Sequence, residues 1–576
     1  MKTYTFILLG MLAFITAGAF RYATDHGKAA EHQLEAVTFK KHFTIRCSAL
    51  WLPGEGSPIP ALTGWGNYHW KVSTNSDSAQ FYFDQGINMY YAFHIIEARA
   101  SFDKAAGFDP GCAMAWWGKA LSFGPNINDF GYARPSEAYP SAMQAMKLKN
   151  NATPLERSLI DAMSTRYTND SASEQAKLNV AYKEAMNKTY MQFGKSADVA
   201  TLYADALMLL HPWDLYDHAM KPKAWTPQLV NVIQQALRLA PKHPGANHYY
   251  IHAVEASAHP ELAMKSAEFL ATAMPDVAHI THMPSHIYIR TGYYNKGIGL
   301  NDQALAGFDK YLAYFPATAE NLPLYSLHNL HMKMACAHMA GNYAISMNAA
   351  KVLQSAIPEF YLSIGGALGN YAQYLHASPL LTDLRFGKWD NILQVTVNDS
   401  LAFTSVMQHF ARGIAYARTN KLAEADMELQ QLINGMKQPV LHEVFEPFNS
   451  GYGVALIMQP LLEGTIAMQR TDMGKAISFL EKAVVAEDAL IYNEPRDWLL
   501  PARQVLGDAL LQAGRLNEAI AVYNKDLEIN PNNGWSLTGL AEAYKRGNQP
   551  AKAAMAARKM GTSWMASDTR ISRSVF

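Results

Sequence analysis

Along this chain small and bulky apolar residues return in a fixed order with polar positions between them, about every 34 residues. From Gly86 the order runs Met89, Ala98, Phe102, Ala105 and Pro110, and Trp116 opens the next cycle. Gly507, Leu510, Gly514, Ala519, Tyr523 and Pro531 take the same offsets near the C-terminus, and Tyr544 and Ala553 follow one cycle on. Gly413, Tyr416 and Ala425 fit again, as do Gly464, Ala476 and Ala483. In the middle, Ala236 with Pro241 and Ala263 with Pro275 close two cycles, and Tyr288 with Gly292 opens a third. Three- and four-residue spacings within each cycle predict a pair of amphipathic helices. The small residues let the two helices approach, and the proline ends the second.

The order is that of the tetratricopeptide repeat, W-x2-L-G-x2-Y, then A-x3-F, then P. One such helix pair cannot bury its apolar face alone, so the units must stack. The fold class expected is all-α, a right-handed superhelical solenoid of about ten helix pairs, some degenerate. The expected organisation is an extended lead-in over 20–78, an array over 79–345, degenerate helical repeats over 346–404 and a second array over 405–576. The lead-in matches no repeat and holds Pro53, Gly54, Gly56, Pro58, Pro60 and Gly64. Two enlarged loops are expected, one from His211 to Trp225 and one over 313–325. No βαβ pattern, phosphate loop or nucleophile elbow is present.

The first residues add a location. Lys2 precedes an apolar run from Phe6 to Phe20, and Ala17-Gly18-Ala19 fits a small-x-small cleavage site. Residues 1–19 therefore read as a signal peptide, and the mature chain as periplasmic or secreted, with no later segment apolar enough to span a bilayer. An uncleaved anchor is the plainer alternative. Cys47, Cys112 and Cys336 are the three cysteines. Pairing of Cys47 with Cys112 is the disulfide an exported chain would form, and the spacing makes no zinc motif.

Composition narrows the partners. Half of the 576 residues are apolar and 17% are charged, with 49 basic against 49 acidic side chains. Such a chain folds, and without a polybasic block it has no electrostatic footprint for nucleic acid.

The histidines change the picture most. Of 20 in the chain, seven fall between His243 and His286: His243, His248, His252, His259, His279, His282 and His286. In the unit opening at Pro244 the core positions are Asn247, Tyr250, Ile251 and Val254. His248, His252 and Glu255 avoid them and share one stripe of the first helix at i, i+4 and i+7. One repeat on, His282 and His286 take the positions of His248 and His252. His331 takes the first of these positions in the unit closed by Gly341. First helices line the concave wall of such solenoids, so matching positions converge from neighbouring repeats.

His248, His252, Glu255, His282 and His286 are accordingly the candidate ligands of a transition metal, with His279, His328, His331 and Asp205 as alternates. Imidazole nitrogens suit Zn, Cu, Fe or Ni, and Asp205 or Tyr288 is the expected second shell. The plainer reading is a polar, histidine-lined groove holding a peptide. Pro284 complicates the stripe, because a proline there predicts an extended lead-in or a kink at His279 and His282.

Other groove candidates are Tyr288, Trp213, Asn126, Glu494, Trp498 and Arg503. Trp213 would lid the groove from its loop, and Asn126 would cap a helix end or reach inward. Tyr492, Glu494, Arg496, Trp498 and Arg503 form either a polar-aromatic patch or an ordinary salt-bridged corner, the corner being the simpler reading.

Several segments also resemble a group of exported bacterial tetratricopeptide proteins. They are Phe83-Asp84-Gln85-Gly86, Asp109-Pro110-Gly111-Cys112-Ala113-Met114-Ala115 with Trp117-Gly118, His282-Met283-Pro284-Ser285-His286-Ile287-Tyr288, Asn493-Glu494-Pro495 and Asn533-Gly534-Trp535. The resemblance implies the solenoid and a protein or peptide segment bound in its concave groove, and it implies no particular reaction. The leading expectation is a binding scaffold. The alternative is a histidine-rich metalloprotein, a metal-dependent hydrolase or oxidase.

Overall fold

The computed structural model describes residues 59–128, 132, 134–314, 324–444 and 448–576. The signal segment, Cys47 and most of the lead-in lie outside the described residues, as does 315–323 of the second enlarged loop. Among the described residues the chain is all-α, and its one β-type pairing is an isolated bridge between Tyr216 and Pro222. No described helix is long and apolar enough to cross a membrane.

Helices pair as the repeat predicts, for example Asp77–Tyr91 with Ile95–Phe108, Ala402–Arg418 with Leu422–Gly435, and Ala502–Gln512 with Leu516–Ile529. A single turn device joins many of the pairs. Phe93, Gly292, Gly341, Gly387, Asn420, Thr471, Gly514 and Asn548 all have φ between 53° and 81°, and each stands two residues before a second helix. The next residue's N–H then reaches back five residues, as in His94 to Met89, Lys421 to Tyr416 and Arg515 to Leu510. This is the Schellman closure, which satisfies a helix-end carbonyl and favours Gly or Asn at the left-handed position. Phe93 and Thr471 are the residues that adopt it at a cost.

The described part of the lead-in, from Ile59 on, packs on the first helices. Trp65 and Trp70 are buried, the Leu62 N–H donates to Gln85 Oε1 at 2.9 Å, and Asn88 donates to the Tyr68 carbonyl at 2.8 Å. Cys112 and Cys336 are buried free thiols. The stretch expected as degenerate repeats holds helices Gly366–His376, Ser378–Arg385 and the short Trp389–Leu393. The larger apolar core extends from Ile59 to Tyr311 and the second from Leu327 to Ala556.

The two halves then meet again. Tyr294 donates to the Pro531 carbonyl at 2.7 Å, Trp535 to that of His338 at 2.9 Å and Trp564 to that of Met339 at 2.9 Å. The C-terminal repeats thereby pack on the turns that follow helices Pro284–Thr291 and Leu324–Ala340.

Candidate metal centre

Helix Pro244–Val254 begins with His243 accepting from the Ala246 N–H at 3.1 Å and Pro244 at its first position, where a missing N–H costs nothing. One turn further in, His248 and His252 project side by side, their Nε2 atoms 3.1 Å apart. The next unit supplies His279, whose Nε2 lies 3.0 Å from that of His248. Four residues after His282, His286 brings its Nε2 to 3.0 Å from that of His282, and His328 brings its own to 3.4 Å from His286. The side chains thus form two triads, His248–His252–His279 and His282–His286–His328.

Pro284 does not disturb this. His279 and His282 lie on the short helix Ala278–His282, Met283 keeps helical angles, and Pro284 opens helix Pro284–Thr291. At a helix start proline is compatible with helical geometry, so the chain is neither extended nor thrown out of register.

What stands behind the triads fixes their proton positions. The Tyr91 carbonyl can only accept, so His248 Nδ1, 2.6 Å away, carries the proton. Glu255 lies 3.0 Å from His252 Nδ1 and 2.7 Å from His286 Nδ1, one carboxylate oxygen on each. Burial alone would raise the Glu255 pKa, but His286 and His252 outweigh it and hold the carboxyl well below the usual range. It therefore accepts from both rings, joining the triads. His248 and His252, with their Nδ1 protons so committed, present bare Nε2 lone pairs that face each other across 3.1 Å.

A second proton on these rings would make them charged. Burial pushes the pKa values of His248, His279, His282 and His328 well below the ordinary histidine value, and that of His252 below it too. Facing lone pairs repel unless a cation lies between them. Two nitrogens held at about 2.0–2.1 Å from one metal are about 2.9–3.4 Å apart for angles between square and tetrahedral. The triads' contacts of 3.0, 3.1 and 3.4 Å fall in that interval.

Aromatic and buried acidic groups enclose the centre. The Phe93 ring lies 4.5 Å from that of His248 and 5.6 Å from that of His279, centroid to centroid. Trp213, also in a left-handed conformation, stands edge-on to His252 at 5.1 Å and donates to the Ile127 carbonyl at 2.8 Å. From the far half, Tyr492 donates to Glu255 at 3.2 Å. Glu494 comes within 3.3 Å of His286 Nδ1, and burial together with Glu255 raises its pKa well above the usual value. Arg290 lies over the Tyr492 ring and donates to the Glu255 and Ser257 carbonyls.

The expected residues sort clearly. His248, His252, His282 and His286 come together, and the alternates His279 and His328 complete the triads. Glu255 places its oxygens on the Nδ1 side of the His252 and His286 rings, and with His252 and Glu494 it makes a third group whose ligand atoms lie within 4.8 Å of one another. His331 is buried against Tyr374, its ring 5.6 Å away, and belongs to neither triad. Asp205 accepts from Tyr90 at 2.7 Å, and Tyr288 packs on Tyr293. Asn126 caps a turn through the Asn128 N–H. Trp498 donates to the Leu500 carbonyl, and Arg503 pairs with Asp488, which makes them the salt-bridged corner. Phe93 and the Tyr91 carbonyl were not singled out. The one signal for Phe93 is a bulky residue at a turn position that takes Gly or Asn in six of the eight turns.

Fold and site together define an all-α protein of stacked helix pairs with paired trihistidine clusters in its interior. Residues 507–547 match the family model described as TPR repeat. No curated protein matches the chain. Among solved structures, the human IFIT1 dimer with m7Gppp-AAAA is 14% identical, with 86% of this chain and 91% of that chain covered and a TM-score of 0.29. The APC/C hetero-tetramer Cut9-Hcn1 is 13% identical, with 84% and 73% covered and a TM-score of 0.26.

Proposed function

We propose that this protein holds a dinuclear transition-metal centre and is a metal-dependent oxidase. The observation that carries the reading is the pair of facing Nε2 atoms, His248 and His252 at 3.1 Å, whose Nδ1 protons are both committed elsewhere. Each triad offers three imidazoles, and a metal held by three protein ligands keeps a position open for substrate. Six imidazole nitrogens with no thiolate among them favour copper among the metals that imidazole suits. Bound copper would supply one-electron chemistry and binding of dioxygen. The chain's own contribution is to fix the ring orientations through Glu255 and the Tyr91 carbonyl, and to keep the site dry with Phe93 and Trp213.

A peptide held against this same face is the less favoured reading, because five of the six triad histidines are no more than 4% exposed. The test is metal content of the purified protein after loading with copper or zinc, beside a His248→Ala/His252→Ala variant. Two equivalents of copper in the wild type and about one in the variant support the centre. No retained metal in either, with an unchanged melting temperature, overturns it.

A further inference from the structure

A second site lies in the C-terminal half, on residues the metal centre does not use. A cavity of about 70 Å³ is bounded by the first helices of successive repeats, by Leu500 and Pro501, and by Val575 and Phe576. Its walls are apolar and aromatic, with Trp389, Phe410 and Trp535 among them, yet two guanidinium groups line it as well. Arg385 is 6% exposed. Its Nη1 donates to Gln504 at 2.7 Å and its guanidinium lies 3.9 Å from the Trp535 ring centroid, while Nε and Nη2 have no partner. Arg418 is half-buried, and its Nε is buried without a partner. The nearby carboxylate of Asp508 is taken by Arg573, whose Nε donates to it at 2.9 Å, and by Gln512.

Neither arginine is in an ion pair among the described residues. A buried guanidinium whose donors go unmatched is costly. Burial brings Arg385 down to about 9, which still leaves it charged near neutral pH. The unmatched donors therefore call for an anion, and their planar forks fit a carboxylate in particular. The apolar walls call for a short carbon chain attached to it. A volume of about half the roughly 150 Å³ that accommodates benzene restricts that chain to a few carbons.

We propose that this cavity binds a small aliphatic carboxylate of two to four carbons, its carboxylate between Arg385 and Arg418 and its chain against Trp389 and Phe410. The site is independent of the metal centre, so either assignment can fail alone. The test is calorimetric titration and thermal melting of the full chain with sodium propionate at constant ionic strength, beside propionamide and sodium sulfate. Propionate should bind one to one and raise the melting temperature, and propionamide and sulfate should do neither.

Arg385→Gln should weaken propionate about tenfold or more, the usual loss for a charge-assisted pair. Arg418→Gln, at the less buried position, reads the same effect should Arg385→Gln not fold. Absence of propionate binding to the wild type overturns the proposal. So does an equal response to propionamide, which would mean a merely apolar cavity, or to sulfate, which would mean an inorganic anion site. Wild-type affinity in a folded Arg418→Gln variant overturns the two-arginine arrangement.

Discussion

Tyr492 and Glu255 stand 237 residues apart in sequence and share a hydrogen bond of 3.2 Å in the interior. The same Glu255 oxygen is 2.7 Å from His286 Nδ1, so one carboxylate ties the C-terminal half to a metal-ligand candidate. Closure of the superhelix and orientation of the triads are therefore one event.

Glu255→Gln removes one of the two acceptors that hold the Nδ1 protons of His252 and His286. Loss of an outer-shell partner typically costs tenfold to a hundredfold in metal affinity. The variant should still fill both sites at saturating metal, but with dissociation constants raised by about that factor, measured by competition with a chelator.

The triads should empty separately. His279→Ala should lower retained metal from two equivalents to one, and His328→Ala should do the same through the other triad. Combining them should abolish retention, read by elemental analysis. Loss of both equivalents from His279→Ala alone would show one interdependent cluster instead.

Stripping the metal should lower the melting temperature reversibly. A ligand present at a hundred times its dissociation constant contributes about 2.7 kcal/mol to the folded state. Chelation should therefore shift the melt downward, and copper should restore it.

The metal-free protein should lose stability in acid. Burial depresses the folded-state pKa of His248, His252, His279, His282 and His328 and takes His331 down to about 3. The unfolded chain then binds more protons than the native one below the ordinary histidine value. Stability is thus full above that value and falls as pH drops towards the folded pKa, by about 1.4 kcal/mol per pH unit for each such group. His331→Leu should flatten the decline between roughly pH 6.5 and pH 3, seen in denaturant midpoints.

Phe93 separates backbone cost from packing gain. Its left-handed conformation, φ 61°, costs about 1–2 kcal/mol, and its ring is buried over the first triad. Phe93→Ala forfeits the ring and keeps the strain. Phe93→Gly forfeits the ring and relieves it. Both should melt below the wild type, and Phe93→Gly above Phe93→Ala.

The sequence alone determined the helix pairs, because small, aromatic and proline residues at fixed offsets dictate which helix faces pack, and most of the left-handed turns carry Gly or Asn. It also placed His248 beside His252 and His282 beside His286, since four residues make one helical turn. Membership of the triads was only partly legible. His279 and His328 appeared as alternates, as their distances to His248 and His286 depend on how neighbouring repeats stack. The role of Glu255 was decided by tertiary structure. Its position seven residues after His248 put it on the ligand stripe, but packing set its oxygens behind two rings instead of between them. Glu494 and Tyr492 sit in a segment that reads locally as a salt-bridged corner. Only the closing of the superhelix carries them more than two hundred residues back to the histidines, and periodicity within one repeat holds no information about that closure.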